Sequence, residues 1–527
     1  VNLFAVLRAW RLFLAHLRTG KRLAWDKTAH TYPAAVAAQL SPVAAQASAP
    51  AAVRAGAAPK LFAALALAAT VLSMLPLDAA AAPELQGRAY ELADQAYKAI
   101  DANQLDRALS LTGEALQLAP GHPALLLIQA DILNRQDKPK QAIELVRGLS
   151  PQELGGQGLA QRGYIWLKVP DDSAAEADFT AALKSPDLDR AARANIASEL
   201  AYLALRRKDD ATALQWFERA AEGTPSGAAK GRLYADAGYA AMRLARNRVA
   251  VDMLSRSIDE WHAAPASDKP FDDASLYGMR RSIDSMSRRW GFQASIGHSA
   301  TTPGSGLIPT SGHRALQGGL EAFYTPEFGF RDGRIFQLYA NAFQTLTSSD
   351  PDFATGNESR VVGIGARYKP FREENLILAL ERREAVGSRA GEDDWLLRAG
   401  YSASRNTDWE PTRKAWWSGQ LYTEAVYFTR ASRVIVPFDA RVGRSWKLDA
   451  MPSTVVTPFI GIAGDYDKAQ AQRTAAGIGP GLMLRHWFRE SRYRAFSSYL
   501  DFSLQYRYRV SDAERGQGLF GQLMLSF

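Results

Sequence analysis

The chain has 527 residues, of which 47% are hydrophobic, and its formal net charge is +8. This length is enough for two or three domains. Because the chain has no cysteine, disulfide frameworks, Cys-ligated zinc, iron–sulfur clusters and thiol catalysis are excluded. Eight Lys or Arg and two Asp lie in residues 1–81, so most of the positive charge is N-terminal and nucleic-acid binding is not indicated.

Residues 1–53 form the first predicted segment. The stretches 8–14 (RAWRLFL) and 20–33 (GKRLAWDKTAHTYP) resemble the cytoplasmic tail of inner-membrane family-2 glycosyltransferases encoded beside outer-membrane exporters, and residues 34–53 are Ala/Pro/Ser/Gln-rich low complexity. We interpret 1–53 as a glycosyltransferase-tail-like extension and linker, which reflects an upstream start or a fused neighbour. The alternative is a basic amphipathic helix on a membrane surface.

Residues 54–81 have the pattern of a secretory signal peptide. Basic Arg54 and Lys60 precede an apolar run at 61–77, and a small-residue stretch follows before Pro83. We expect cleavage after Ala81. A transmembrane anchor is the alternative, although the run is short for a span of about 20 residues.

Residues 82–289 are predicted to form an α-solenoid. Small residues recur in pairs twelve apart, and the pairs return every 33–38 residues. This spacing resembles the tetratricopeptide repeat, in which small side chains let two helices cross closely. A plain helical bundle is the alternative. The predicted repeat-packing residues are Ala96, Ala108, Ala130, Ala142, Gly163, Ala175, Ala201, Ala213, Gly238 and Ala250.

Residues 290–527 alternate between apolar and polar side chains in about twelve segments separated by turns. Alternation with period two predicts strands. Several segments are longer than a typical soluble strand. Since every strand edge in lipid must be paired, we predict a transmembrane antiparallel β-barrel of about 12 strands. The fold class is thus α + β multidomain, and a water-soluble β-sandwich is the alternative to the barrel.

The segment 414–428 predicts which solvent covers the apolar face. Trp416 and Trp417 lie near one end, and Tyr427 and Phe428 lie at the other. About ten residues of tilted strand span roughly 25 Å, the height of an outer-membrane apolar band between two aromatic girdles. The spacing therefore favours lipid.

The polar positions that alternate with the apolar band are predicted to face the lumen. In a channel they would contact a hydroxyl-rich sugar, and in a closed barrel they would pair with one another. These candidates are Gln337, Asn341, Glu381, Gln420, Glu424, Asp439, Arg441, Asp501, Gln505, Arg507 and Arg509.

The C-terminus alternates Leu523, Leu525 and Phe527, which resembles the signal read by the outer-membrane barrel assembly machinery. The stretches 486–494 (HWFRESRYR) and 499–508 (YLDFSLQYRY), together with the order of signal, repeats and barrel, resemble the bacteriophage N4 adsorption protein A family. The resemblance implies an outer-membrane phage receptor encoded with an inner-membrane glycosyltransferase. Related architectures export exopolysaccharide.

Two functions follow as hypotheses. The first is an outer-membrane protein of an exopolysaccharide export system, with the barrel as conduit, the periplasmic repeats as interaction platform and a phage tail protein as a possible partner. The second is a non-transporting scaffold or receptor whose repeats bind a periplasmic partner. Expected partners are outer-membrane lipid, the assembly machinery, and a polysaccharide or glycosyltransferase. The seven histidines form no catalytic or metal motif, so no enzyme activity, cofactor or metal is predicted.

Overall fold

The computed structural model describes residues 84–298, 315–349, 351–391 and 393–527. The predicted extension 1–53 and the predicted signal peptide 54–81, with its cleavage point after Ala81, lie outside these residues. The described chain has a helical N-terminal part and a β C-terminal part, and the two are in direct contact.

Eleven α-helices occupy the N-terminal part of the described chain. Consecutive helices pack as five antiparallel pairs, and a single helix follows them, which is the solenoid arrangement expected of tetratricopeptide repeats. The helices are α1 (Gly87–Asp101), α2 (Leu105–Leu118), α3 (Pro123–Arg135), α4 (Pro139–Val146), α5 (Pro151–Lys168), α6 (Asp172–Ala182), α7 (Arg190–Arg206), α8 (Asp210–Gly223), α9 (Ala228–Arg243), α10 (Asn247–Ala263) and α11 (Asp273–Ser287).

The small residues of the repeat lie where the two helices of a pair cross. All ten of them are buried. A Cβ atom built on Gly163 would lie 2.6 Å from the Phe179 ring, and one on Gly238 would lie 2.6 Å from Leu254. Larger side chains would therefore push the helices of these pairs apart.

Aspartates fix where several helices begin. The side chain of Asp189 accepts a hydrogen bond from the Ala192 N–H at 2.6 Å, and Asp209 accepts one from the Thr212 N–H at 3.1 Å. Each carboxylate satisfies a backbone donor that has no partner within its helix. The turns between helices are thus set by local sequence.

The C-terminal part is a closed antiparallel barrel of twelve strands, which confirms the predicted number. A two-residue strand, β3, pairs only with the start of β4 and is not counted among the twelve. The strands are β1 (Trp290–His298), β2 (Ala315–Tyr324), β3 (Phe330–Arg331), β4 (Arg334–Ser348), β5 (Val361–Lys369), β6 (Asn375–Ala385), β7 (Asp394–Arg405), β8 (Ala415–Phe428), β9 (Arg433–Lys447), β10 (Thr454–Asp467), β11 (Thr474–Phe488), β12 (Ser498–Arg509) and β13 (Gly518–Ser526).

Closure of the barrel joins its first and last strands. From β4 to β13 each barrel strand pairs with the next along the chain, while β1 pairs with both β13 and β2, and β2 pairs with β4. At the seam the Phe527 N–H donates to the Phe292 carbonyl at 2.8 Å, and the Phe292 N–H donates to the Phe527 carbonyl at 2.9 Å. Each described strand of the barrel is therefore paired on both sides, and the ring is closed.

Large apolar side chains cover the outer wall of the barrel. Ile364, Leu380 and Ile460 are all exposed there, and the Phe527 ring also points outward. On β8, Trp417 is 62% exposed but Trp416 is only 3% exposed, and Tyr427 is exposed while Phe428 is buried. The prediction of paired aromatics at each end was therefore half wrong, because adjacent residues on a strand point to opposite faces.

Among the helices of the described residues, none is long and apolar enough to cross a membrane.

We call the end of the barrel where β1 begins the near end, and the opposite end the far end. Turns 370–374, 406–414 and 489–497 lie at the near end, while 429–432, 468–473 and 510–517 lie at the far end. Helix α11 leads directly into β1 and packs against the near end. This contact places the solenoid on one side of the barrel.

Candidate functional site

The barrel interior gathers the polar residues that the alternation predicted. Glu381 is 0% exposed, and the other inward positions are buried or half-buried. Arg509 differs, because it is exposed as the last residue of β12, beyond the packed interior. The residues in the interior are Gln337, Asn341, Glu381, Gln420, Glu424, Asp439, Arg441, Asp501, Gln505 and Arg507.

Arg398 on β7 bridges the two glutamates in the middle of this interior. Its Nη1 donates to Glu381 at 2.9 Å, and its Nε and Nη2 donate to Glu424 at 2.7 and 3.1 Å. Arg383 pairs with the other oxygen of Glu381 at 3.2 Å, and the Tyr422 hydroxyl donates to Glu424 at 2.9 Å. Both carboxylates are thus neutralised and hydrogen-bonded, which buried charges require.

A second group of charges surrounds Asp439 on β9. Arg441 pairs with it at 2.8 Å, Gln420 donates to it at 3.3 Å, and Arg507 from β12 lies 4.0 Å away. The side chain of Gln505 donates to the carbonyls of Gly461 and Gly479 at 2.8 and 3.0 Å. Side chains from β8, β9 and β12 are therefore joined to one another and to backbone carbonyls of β10 and β11.

A third ion pair lies nearer the solenoid. Asp501 faces Arg485 across the β11–β12 pair, and the two side chains form a bidentate contact with both distances at 2.5 Å. The remaining Arg485 donor reaches the Thr407 carbonyl in a near-end turn at 3.1 Å. Of the ladder predicted on β12, Asp501, Gln505 and Arg507 therefore bind other wall residues.

The arginines that complete these pairs were missed by the sequence reasoning. Arg367, Arg383, Arg398 and Arg485 are all inward and all pair with a predicted residue or its neighbour. The sequence could have identified these arginines as inward-facing, since each lies on the polar face of a strand whose side chains alternate between apolar and polar. Cross-strand register, which pairs Arg485 with Asp501, cannot be derived from one strand alone.

Helix α11 packs against the near end of the barrel interior. Leu276, Met279, Ile283 and Met286 belong to the same packed apolar cluster as inward aromatics from the barrel. Those aromatics are Phe323, Tyr339, Tyr422, Trp487 and Tyr499.

Polar contacts fix this helix in place. Arg281 pairs with Asp408 at 2.6 Å and donates to the Phe496 carbonyl at 3.0 Å. Arg288 pairs with Asp284 at 2.9 Å and reaches the Ser497 carbonyl at 2.5 Å. Tyr493 and Arg492 of turn 489–497 also bind Asp259 of α10 at 2.9 and 2.7 Å. The solenoid and the near-end turns are thus connected by buried and exposed contacts.

The solenoid carries a row of tyrosines on the first helices of four of its pairs. Each of them follows the small packing residue by one position: Tyr97, Tyr164, Tyr202 and Tyr239. The Tyr202 hydroxyl donates to Asp236 of the next pair at 2.8 Å. Burial raises the pKa of Asp236 to about 6 and also raises the pKa of Glu199. The row therefore combines aromatic surface with carboxyls that are costly to ionise.

In the part of the chain that the structure describes, no group of three or more His, Asp or Glu side chains is placed to hold a metal ion. The charged side chains of the interior are instead paired with one another.

Comparisons with known proteins bear on the barrel. Residues 352–523 match the family model described as "Bacteriophage N adsorption protein A C-term". The matched range runs from the connection before β5 into β13 and includes the three ion-paired groups. A "Bacteriophage adsorption protein A" of Escherichia coli (strain K12) is 23% identical over 262 residues, which are 47% of this chain and 26% of that relative. The chain thus spans about a quarter of that relative, and the resemblance seen in the sequence is confirmed.

Two solved structures each match about a third of the chain. The MamA protein is 15% identical, with a TM-score of 0.29, over 33% of this chain and 92% of its own. YrrB, a TPR protein with an unusual peptide-binding site, is 20% identical, with a TM-score of 0.27, over 33% of this chain and 86% of its own.

Proposed function

We propose that the chain is an outer-membrane protein with a sealed barrel that serves as anchor and adsorption surface. In this proposal the far-end connections face the outside and are available to a bacteriophage tail protein. The solenoid lies in the periplasm and binds a protein partner. The apolar outer wall and the similarity to a bacteriophage adsorption protein support this placement.

The packed interior is the observation that carries the proposal. A water-filled lumen would leave its wall exposed, yet Glu381, Glu424, Asp439, Gln505 and Arg507 are all less than 5% exposed. Helix α11 adds a cover at the near end. The interior residues thus bind one another rather than a passing solute.

Export of an exopolysaccharide remains the second candidate. It is favoured by the glycosyltransferase-like residues 8–33 and by the hydroxyl- and charge-rich interior. A polymer could pass only if α11 moved away and the Glu381–Arg398–Glu424 bridge opened. Opening the bridge would separate two buried carboxylates from the Arg398 guanidinium that neutralises them, which is costly unless water enters the interior. This favours the sealed anchor over the conduit.

The absence of cysteine allows a direct test of the placement. Ala471→Cys lies in the far-end connection 468–473, and its matched control Ala450→Cys lies in the near-end connection 448–453; both positions are exposed. In intact cells, a membrane-impermeant maleimide should label Ala471→Cys alone, and both variants should react after lysis. Labelling of Ala450→Cys in intact cells would contradict the orientation.

A further inference from the structure

The outer wall of the barrel carries two arginines close to its near end. Arg405 is the last residue of β7, and Arg444 lies on β9. Both arginines occupy outward-facing positions of their strands, as do Ala403 and Val442, which precede them by two residues. Charged side chains on such a wall are costly in hydrocarbon, and the cost falls toward the interfaces.

The two arginines flank a tryptophan on the strand between them. Arg444 is directly opposite Trp417, and Arg405 is opposite Gly419, two residues along on the same face. The Arg444 guanidinium lies 5.7 Å from the Trp417 ring centroid. Trp417 is 62% exposed, and Trp446, two residues beyond Arg444, is 41% exposed. Exposed tryptophans mark the depth of lipid headgroups.

Neither guanidinium has an acidic partner. Within the described residues, neither Arg405 nor Arg444 makes an ion pair or a side-chain hydrogen bond, and the Arg444 guanidinium lies over the Trp417 ring. On the β8 and β10 sides the outward neighbours given by the strand register are Gly419, Leu421 and Pro458, all uncharged. On the β6 side the exposed Glu374 precedes Asn375, which is opposite Ser402, and it accepts a hydrogen bond from the Tyr401 hydroxyl at 3.1 Å. By contrast Arg382, an outward arginine near the far end, pairs with Asp393 at 3.2 Å and with Glu384 at 3.4 Å. The two near-end arginines therefore outnumber the one carboxylate beside them, and neither forms an ion pair with it.

We propose that Arg405, Arg444 and Trp417 form a binding site for the phosphate of an anionic phospholipid in the near leaflet. Guanidinium groups bind phosphate through parallel N–H···O bonds. One phosphate placed between the arginines would accept bonds from both, while Trp417 packs on the lipid at the interface. This site rests on the proposed membrane placement of the barrel.

Native mass spectrometry of the full chain in detergent tests the site, with phosphatidylglycerol and phosphatidylcholine offered at equal concentration. The unmodified protein should retain phosphatidylglycerol preferentially. The double variant Arg405→Gln/Arg444→Gln should lose that retention by at least about tenfold, since the loss of even one charge-assisted contact of about 1.4 kcal/mol lowers the affinity by a factor of ten. Arg382→Gln is the matched control and should retain lipid normally.

Equal retention by the double variant and the unmodified protein would overturn the site, and so would equal retention of the two lipids. Heat-modifiable gel migration after insertion into vesicles is recorded for every variant. If the unmodified chain inserts but shows no preference, the lipid site alone is wrong. If it does not insert, the membrane placement is wrong, and the site with it.

Discussion

The bridge made by Arg398 gives the most specific stability prediction. Arg398→Met keeps the length of the side chain but removes the cation shared by Glu381 and Glu424. Glu381 retains Arg383 at 3.2 Å and the Tyr339 hydroxyl at 3.0 Å, whereas among the described residues Glu424 retains the Tyr422 hydroxyl at 2.9 Å and no cation. Glu424 therefore becomes a buried carboxylate without a cation.

Removal of one partner from a buried ion pair costs about 3–5 kcal/mol, and we expect the free energy of unfolding to fall by about that amount. Because most of the cost comes from the charge on Glu424, the double variant Arg398→Met/Glu424→Gln should recover about half of it. Arg509→Met, at an exposed arginine of β12, is the control and should stay within about 0.5 kcal/mol.

The assay is chemical unfolding of the full chain in detergent micelles, followed by tryptophan fluorescence. An Arg398→Met variant within about 0.5 kcal/mol of the unmodified protein would refute the reasoning. It would mean that water enters the interior and solvates Glu424, as it would in an open channel.

The remaining predictions concern the solenoid and the C-terminus. The pKa of Asp236 is raised to about 6, so its contribution to stability is complete below pH about 4 and is lost as the pH rises through about 6, a change of about 3 kcal/mol. Urea unfolding followed by helical circular dichroism measures this loss, and the Asp236→Asn variant should not show it. An equal loss in that variant would contradict the assignment to Asp236. Gly163→Ala should destabilise the solenoid by about 1–3 kcal/mol, because its Cβ would lie 2.6 Å from Phe179. Gly113→Ala should be neutral or stabilising by up to about 1 kcal/mol, since no atom lies within 4 Å of its Cβ. The free energies of unfolding of the Gly163 and Gly113 variants are compared in the same urea denaturation. Phe527→Asp should reduce insertion measured by heat-modifiable migration while Phe527→Tyr retains it, and normal insertion of the aspartate variant would count against an assembly signal.

Much of the barrel could be predicted from the sequence because side-chain alternation is a local property. Each of the twelve segments with alternating side chains overlaps one strand, and the outward residues Leu500, Phe502 and Leu504 are exposed as expected. The error at Trp416 and Phe428 arose where aromatics were grouped by nearness in sequence rather than by face. The helical spacing was equally local, and its small residues are all buried.

The contacts between α11 and the near-end turns could not be predicted from the sequence. The helical part was expected to extend to residue 289, which includes α11, but the contacts of α11 join Tyr277 to Asp408 and Arg281 to the Phe496 carbonyl, across 131 and 215 residues. Such separations leave no periodic signal. The pairing of Arg398 with Glu424 is likewise a matter of register between two strands, which one strand cannot specify.

Conductance of the purified full chain in a planar lipid bilayer tests the sealed barrel most directly. Insertion is verified by heat-modifiable migration of the same preparation, and an open porin serves as the positive control. The filled interior and the cover by α11 predict no current steps above the baseline of the lipid alone. Stable current steps from the unmodified, inserted chain would contradict the sealed anchor and favour a conduit.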